Sequence, residues 1–346
     1  MDVKRARDKV WIQGVKGFSP ADYASSPHGC QARILQILGE SLGYNDLICY
    51  SGFAFRVSVH EEMCPSAAHP FCGYECVKGS HRALPWRVQI FESLPWAKPI
   101  DNREAFEAEA CAAIKGSVDE GIPVHYGGEE DGLIIGYGDG GQRWWCVHPY
   151  HKWGKEAFWH HEAKGFAGGN WPWGIVVWRE PKPNGERVSK RELTIAALRQ
   201  AVAMWTSDKI EAYYTGQAAY AHWLKWLKGA DGKEKEAKKG MQGNGWCFDV
   251  LIHSRRIAGR WLKQQASLFS GEAEKHLAAA ADQYRKIAPL CSKGYTCSWD
   301  LAPGPDRYKE WSQALRDEQM KRLKAAQKHD AAAVAAIEQA LAVIDG

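Results

Sequence analysis

Near residue 180 the chain changes its hydrophobic period, and that change constrains the fold more than any other feature. Before it lie short β-type runs separated by glycine-rich turns: FAFRVSVH (53–60), IPVHYG (122–127), GLIIGY (132–137), RWWCVH (143–148) and GIVVW (174–178). Helical patterns interrupt them at about 30–43 and about 103–118. A segment rich in proline, glycine and charge, REPKPNGERVSKREL (179–193), then reads as a linker. After it the spacing is helical throughout. Ser189 and Glu192 form a capping-box signature ahead of LTIAALRQAVAMW. Further helices are expected over QAAYAHWLKWLKG (217–229), WCFDVLIHSRRIAGRWLKQQASLF (246–269) and EAEKHLAAAADQYRKIAPL (272–290). Pro305 opens an alanine-rich stretch to about Ile344, read as two helical pieces, and the polar GADGKEKEAKKGMQGNG (229–245) reads as a loop. The expected architecture is an α+β domain over residues 1–180, a linker over 181–192 and an all-α helical bundle over 193–346.

Bulk properties remove several function classes. With 346 residues and a net charge of +4, no basic cluster is interleaved with aromatics, so nucleic-acid binding is not expected. No run of 18 apolar residues suggests a membrane span, and MDVKRARDKVWIQGV lacks the apolar core of a signal peptide. The ten cysteines are scattered through helical and strand patterns, which fits reduced thiols in the cytoplasm. Seventeen tryptophans are many, and such amphipathic rings often line a cleft.

The chemistry-bearing candidate in the first domain is Cys30. SSPHG (25–29) is turn chemistry, Cys30 follows, and Ile34, Leu35, Ile37, Leu38 and Leu42 then run at helical spacing. A helix N-terminus lowers a thiol pKa through its unpaired N–H groups, and the same groups can hold an oxyanion. The competing reading is a small hydrophobe at the lip of a core helix.

A second constellation lies in EEDGLIIGYGDGGQRWWCVHP (129–149). If Asp139-Gly140 are the central turn residues, Gly138 pairs with Gly141 and Asp131 falls opposite His148. A carboxylate facing an imidazole is half of a nucleophile–base–orienter set. A one-residue slip at a bulge would make Glu130 the partner instead, and a silent strand-end ion pair is the alternative. His125, in PVHYG, is the second-ranked base.

The order GCQARILQILG, YSGFAFRV, GIPVHYG, GLIIGYGDGG and VHP, spanning about residues 10–178, resembles the papain-like superfamily. Its nearest branches are the bacteriocin-processing peptidases and the N-terminal domain of butirosin-type aminoglycoside acyltransferases. The resemblance implies a helix bearing the nucleophile, Cys30, packed on an antiparallel sheet. It also implies cysteine-dependent acyl transfer or amide hydrolysis on a small molecule or peptide, with no cofactor and no metal. The family's upstream oxyanion glutamine has no clear match, Gln13 and Gln31 both being imperfectly spaced. Two departures are plain: Glu130 or Asp131 stands where the family has histidine before GLIIGY, and His148 stands where it has aspartate. Either the roles are exchanged, or catalysis is lost and the cleft binds a ligand.

Other residues complete the candidate set. Trp144, Trp171 and Trp173 would line a water-excluding cleft. Asp249, His253, Arg256 and Arg260 follow i, i+4, i+7, i+11 spacing on one helix face. That stripe is either a solvated surface or an anion-holding wall. Cys64, Cys72 and Cys76 with His60 and His69 read as a cysteine-rich loop, with zinc ligation as the alternative.

Overall fold

The computed structural model describes residues 1–17, 23–94, 96–149, 158–161, 172–230 and 234–346. Its first elements are β1 (Val3–Ala6), β2 (Lys9–Ile12), α1 (Ser26–Ile37), α2 (Tyr44–Tyr50), β3 (Ser58–His60), α3 (Val77–Ala83) and β4 (Trp86–Glu92). Then come α4 (Arg103–Asp119), β5 (Val124–Gly127), β6 (Gly132–Gly138), β7 (Arg143–Val147), β8 (Phe158–His161) and β9 (Gly174–Pro181). The remainder is α5 (Lys190–Thr206), β10 (Lys209–Ile210), β11 (Tyr213–Thr215), α6 (Gly216–Gly229), α7 (Glu234–Gln265), α8 (Gly271–Ser292) and α9 (Gln313–Asp345). These fold into two compact units: Met1–Leu47 with Ala83–Arg187, and Ile48–Arg82 with Val188–Gly346. The expected boundary near 180 therefore has a companion: residues 48–82, read with the first domain, join the helical one.

The first unit is built on an antiparallel sheet in the order β1-β2-β6-β5-β9-β4, with β7 and β8 extending from β6. On one face α4 lays Ala110, Ala113, Ile114 and Val118 against Val10, Ile12, Val124, Tyr126, Ile134, Trp144, Cys146, Ile175 and Val177. The spacing of those α4 residues is one helical stripe. Asn102 caps the helix by accepting the Ala105 N–H at 3.1 Å. Helix α1 packs on β5 and β6 but contributes nothing to that cluster, so it uses the other face.

The β6–β7 hairpin has a longer turn than expected. Asp139–Gly141 form a 3-10 turn with Gly140 at φ +68°, and Gln142 N–H closes it on the Asp139 carbonyl. Gly138 consequently faces Arg143 rather than Gly141, and a bulge between Ile134 and Gly136 brings Leu133 opposite Val147. Continued outward, that register sets Pro149, not His148, across from Asp131.

The second unit holds the three-stranded antiparallel sheet β10-β11-β3 and a bundle in which α8 packs on both α7 and α9. Its centre is ionic. Arg255 and Asp330 are each 1% exposed and pair through Nε–Oδ1 at 2.7 Å and Nη2–Oδ2 at 2.8 Å. Arg255 also donates to the carbonyls of Ala54 (2.6 Å) and Phe55 (3.0 Å), and Tyr220 O–H donates to Asp330 at 2.8 Å. Burial works against the guanidinium's charge, but Asp330 more than offsets it, so Arg255 is held firmly protonated. This bonding, with the pairing of β3 to β11, recruits residues 48–82 to the helical unit.

One expectation fails here. The segment expected as a polar loop is helical from Glu234, and its glycines are contact points instead of breaks. A Cβ on Gly240 would lie 2.6 Å from the Trp226 ring, one on Gly243 would collide with the Met63 carbonyl oxygen, and one on Gly245 with the Trp299 ring. The terminal stretch is helical in two pieces, as expected: the 3-10 piece Pro305–Glu310 and then α9, capped by Ser312 accepting the Leu315 N–H. All ten cysteines are free thiols, and no helix among the described residues is long and apolar enough to cross a membrane.

Two substitution tests follow from this packing. Gly243→Ala should destabilise the protein by about 1–3 kcal/mol through overpacking, despite alanine's higher helix propensity. Gly116→Ala, on an exposed turn of α4 with open space around it, should gain about 0.5–1 kcal/mol; urea midpoints distinguish the signs. Asp330→Ala should cost about 3–5 kcal/mol by stranding a buried guanidinium. An Arg255→Met/Asp330→Leu pair should recover only part of that, because the Ala54 and Phe55 carbonyls lose their donor.

Candidate functional site

The site forms where α1 meets the β5–β6 hairpin. Helix α1 starts at Ser26, four residues earlier than expected, and is buried continuously from Ser26 to Ala32. Seven consecutive buried residues that include Ser26, His28 and Gln31 are unusual, because polar side chains enter an interior only with partners. Ser25 Oγ lies 2.6 Å from His28 Nδ1. Ser26 Oγ donates to Glu130 Oε2 at 2.6 Å and accepts the Asp131 N–H at 3.0 Å, which docks the helix start onto the β5–β6 turn.

Cys30 lies one helical turn beyond Ser26 and therefore on the same face. It is the fifth residue of the helix, and the first intrahelical bond, Gly29 N–H to the Ser25 carbonyl, precedes it. Cys30 is thus not at the free N–H groups expected to activate it. Pro27, lacking an N–H, removes one of those donors as well. The thiol is 0% exposed. Burial pushes its pKa well above the ordinary cysteine value, and the carboxylates of Asp131 and Glu130 push it further.

Asp131 has a histidine partner, but it is His125. The two pair at 2.5 Å through His125 Nε2 and Asp131 Oδ2, and they are 2% and 5% exposed. The hairpin places them: Tyr126 faces Gly132 and His125 faces Leu133, so Asp131 ends the turn within reach of the strand it left. A Cβ at Gly132 would meet the Tyr126 ring 2.5 Å away, so the glycine lets this hairpin close. Val124 and Tyr126 point into the α4-side core, which leaves His125 on the face that α1 covers. With Nε2 bound to the carboxylate, Nδ1 is the basic nitrogen, and it is buried with no hydrogen-bond partner among the described residues. The same holds for both amide atoms of Gln31, which is 0% exposed.

The other candidates fall elsewhere. His148 is half-buried just past β7, its ring stacked 6.4 Å from that of Tyr126. Glu130 serves Ser26. Trp144 is wholly buried in the α4-side core, so packing accounts for it. Trp173 is half-buried, accepts no role in that core, and touches Trp96 edge-on at 5.0 Å. Its N–H donates to the Gly127 carbonyl at the end of β5. Trp171 lies outside the described residues. In the second unit, Arg256 and Arg260 are exposed, and Asp249 accepts a hydrogen bond from Ser298 at 2.5 Å. His253 is half-buried on the same stripe. No group of three or more histidine, cysteine or acidic residues among the described residues is arranged to hold a metal.

The His125–Asp131 pair was the main feature that sequence reasoning misplaced. The signal lay in HYGGEED (125–131): a β-type run, a glycine pair and an acid six positions after the histidine make a hairpin of their own. No family model matches the chain, and no curated protein matches it.

The His253 site makes a pH prediction. Burial lowers its pKa below the ordinary 6.5, with Asp249 opposing and Arg256 and Arg260 adding to the shift. A base with a depressed folded pKa keeps its full contribution above the unfolded value and loses it as pH falls from there through the lower folded value. The advantage of wild type over His253→Gln in melting temperature should therefore shrink from about pH 7.5 to about pH 5.5.

Proposed function

We propose that the first unit carries out cysteine-dependent acyl transfer or amide hydrolysis on a small-molecule or peptide carbonyl compound. Cys30 is the nucleophile, His125 the base and Asp131 its orienter. The observation that carries this reading is the buried His125–Asp131 pair on the sheet face beneath the Cys30 helix. A nucleophile-bearing helix laid on an antiparallel sheet that supplies the imidazole is also what the papain-like resemblance implies, with His125 taking the role assigned to His148.

The electrostatics favour one form of the chemistry. Carboxylates around Cys30 disfavour a resting thiolate, while Asp131 stabilises an imidazolium once it forms. The resting nucleophile is then a thiol. Proton transfer from Sγ to His125 Nδ1 accompanies attack on the carbonyl carbon. The carbonyl π bond opens to an oxyanion, for which the unpartnered Gln31 amide is the donor at hand. The leaving group departs with the proton from the imidazolium, and water or an acceptor nucleophile releases the acyl group. The complete burial of Cys30 favours a second reading, in which the same pocket binds a ligand and performs no chemistry.

Intact-mass analysis after incubation with p-nitrophenyl acetate tests the proposal. Peptide mapping of the product should place an acetyl group on Cys30 in addition to any on the more exposed thiols, and the Cys30 acetyl should form about 10²–10⁴-fold more slowly in His125→Asn, with labelling of the other thiols unchanged. Acetylation of Cys30 at an unchanged rate in His125→Asn, or none at Cys30 in the folded wild type, would favour the binding reading instead.

A further inference from the structure

A pocket of the second unit, bordered by β3, α6, α7 and the turn at Ala67, has no part in the proposed activity. It encloses about 260 Å³ of free space, counting its mouth, and every lining residue belongs to that unit. Trp223, Val250 and Leu251 give it an apolar wall, and Arg56, Ser58 and Cys247 a polar one. All six are more than nine-tenths buried.

The charge comes from Arg56, which is 3% exposed. Its Nη1 donates to the carbonyls of Cys72 (2.9 Å) and Tyr74 (3.0 Å), and its Nη2 to those of Ala67 (3.0 Å) and His69 (2.8 Å). The Phe53 ring lies against one face of the guanidinium, 4.8 Å from Cζ to the ring centroid. Four of its five donors are thereby used, and the Nε–H has no acceptor among the described residues. Every acceptor it has is a neutral carbonyl. No carboxylate among the described residues pairs with it, and Glu75 senses its charge through space without contact. A buried cation is ordinarily matched by an opposite charge, and here the chain supplies none in contact.

The rest of the polar wall consists of donors. Ser58 sits directly across from Thr215 in the β3–β11 pairing, and both hydroxyls are buried with no hydrogen-bond partner among the described residues. Such orphans are uncommon in a folded interior. Cys247 is held as a neutral thiol: burial pushes it up to about 12, against the opposing pull of the Arg56 charge.

We propose that this pocket binds one small monovalent anion of about halide size, drawn in by the Arg56 guanidinium and held by hydrogen bonds from its Nε–H and from the Ser58 hydroxyl. One unmatched positive charge calls for one negative charge, and a charge-assisted bond to Nε–H would use the last free donor of the fork. The size follows from the walls: Trp223, Val250 and Leu251 have no donors to offer the further oxygens and second charge of a phosphate. Because the same guanidinium grips the carbonyls of residues 67–74, the bound anion would also steady that loop.

The chloride NMR linewidth in solutions of the full chain tests this, with ionic strength held constant by gluconate, which is too large for the pocket. Chloride should show a broadening component that saturates and that bromide removes. Ser58→Ala should weaken that component several-fold with the circular dichroism spectrum unchanged, and Arg56→Met should abolish it. If Arg56→Met does not fold, Ser58→Ala alone decides. Broadening that never saturates, or a saturable component of equal strength in folded Ser58→Ala, overturns the proposal.

Discussion

The second unit depends on a charge it encloses. Arg255 lies within α7, and its fork is fully used by one carboxylate and the carbonyls near residue 55. A charge in such surroundings is tolerated only with complete bonding, so the positions of α7, α9 and the 53–56 segment are mutually determined. The Trp223–Asn244–Gln319 chain repeats the principle alongside: the indole N–H donates to Asn244 at 2.7 Å, and Gln319 donates to the same oxygen at 2.8 Å. Arg56 extends it outward by organising the loop of His69 and Cys72. Buried polar groups, each satisfied, decide which segments belong together here.

The first unit uses the same device more sparingly. Ser26 satisfies an acid and a backbone N–H of the β5–β6 turn, and this fixes the start of α1 against that turn. The cost is a thiol surrounded by negative charge.

Much of this was legible from residues alone, and the rest failed for identifiable reasons. Hydrophobic period located α4, α5, α6 and α8, and the Ser189–Glu192 box marked its helix start, because both are local properties. The helix carrying Cys30 was readable too, though with its start four residues late, and its neighbouring sheet came from the family resemblance alone. The hairpin register was not, since two extra turn residues and one bulge each shift it, and nothing local distinguishes Gly138–Gly141 from Gly138–Arg143 pairing. The glycines of 240–245 were misread because the sequence records the missing side chain but not the tryptophan or carbonyl that occupies its place. Residues 48–82 were misassigned because their acceptors are carbonyls, which every residue carries, and their donor is about two hundred positions away.

That separation has a consequence for synthesis on the ribosome. Ala54 and Arg255 are 201 residues apart, so at ordinary elongation rates roughly 10–40 s pass between their emergence. Throughout that interval residues 48–82 are threaded between two halves of the first unit with their own docking partners still untranslated. The nascent first unit must close around an unfolded excursion, and any chain cut after residue 187 retains that excursion permanently without a home.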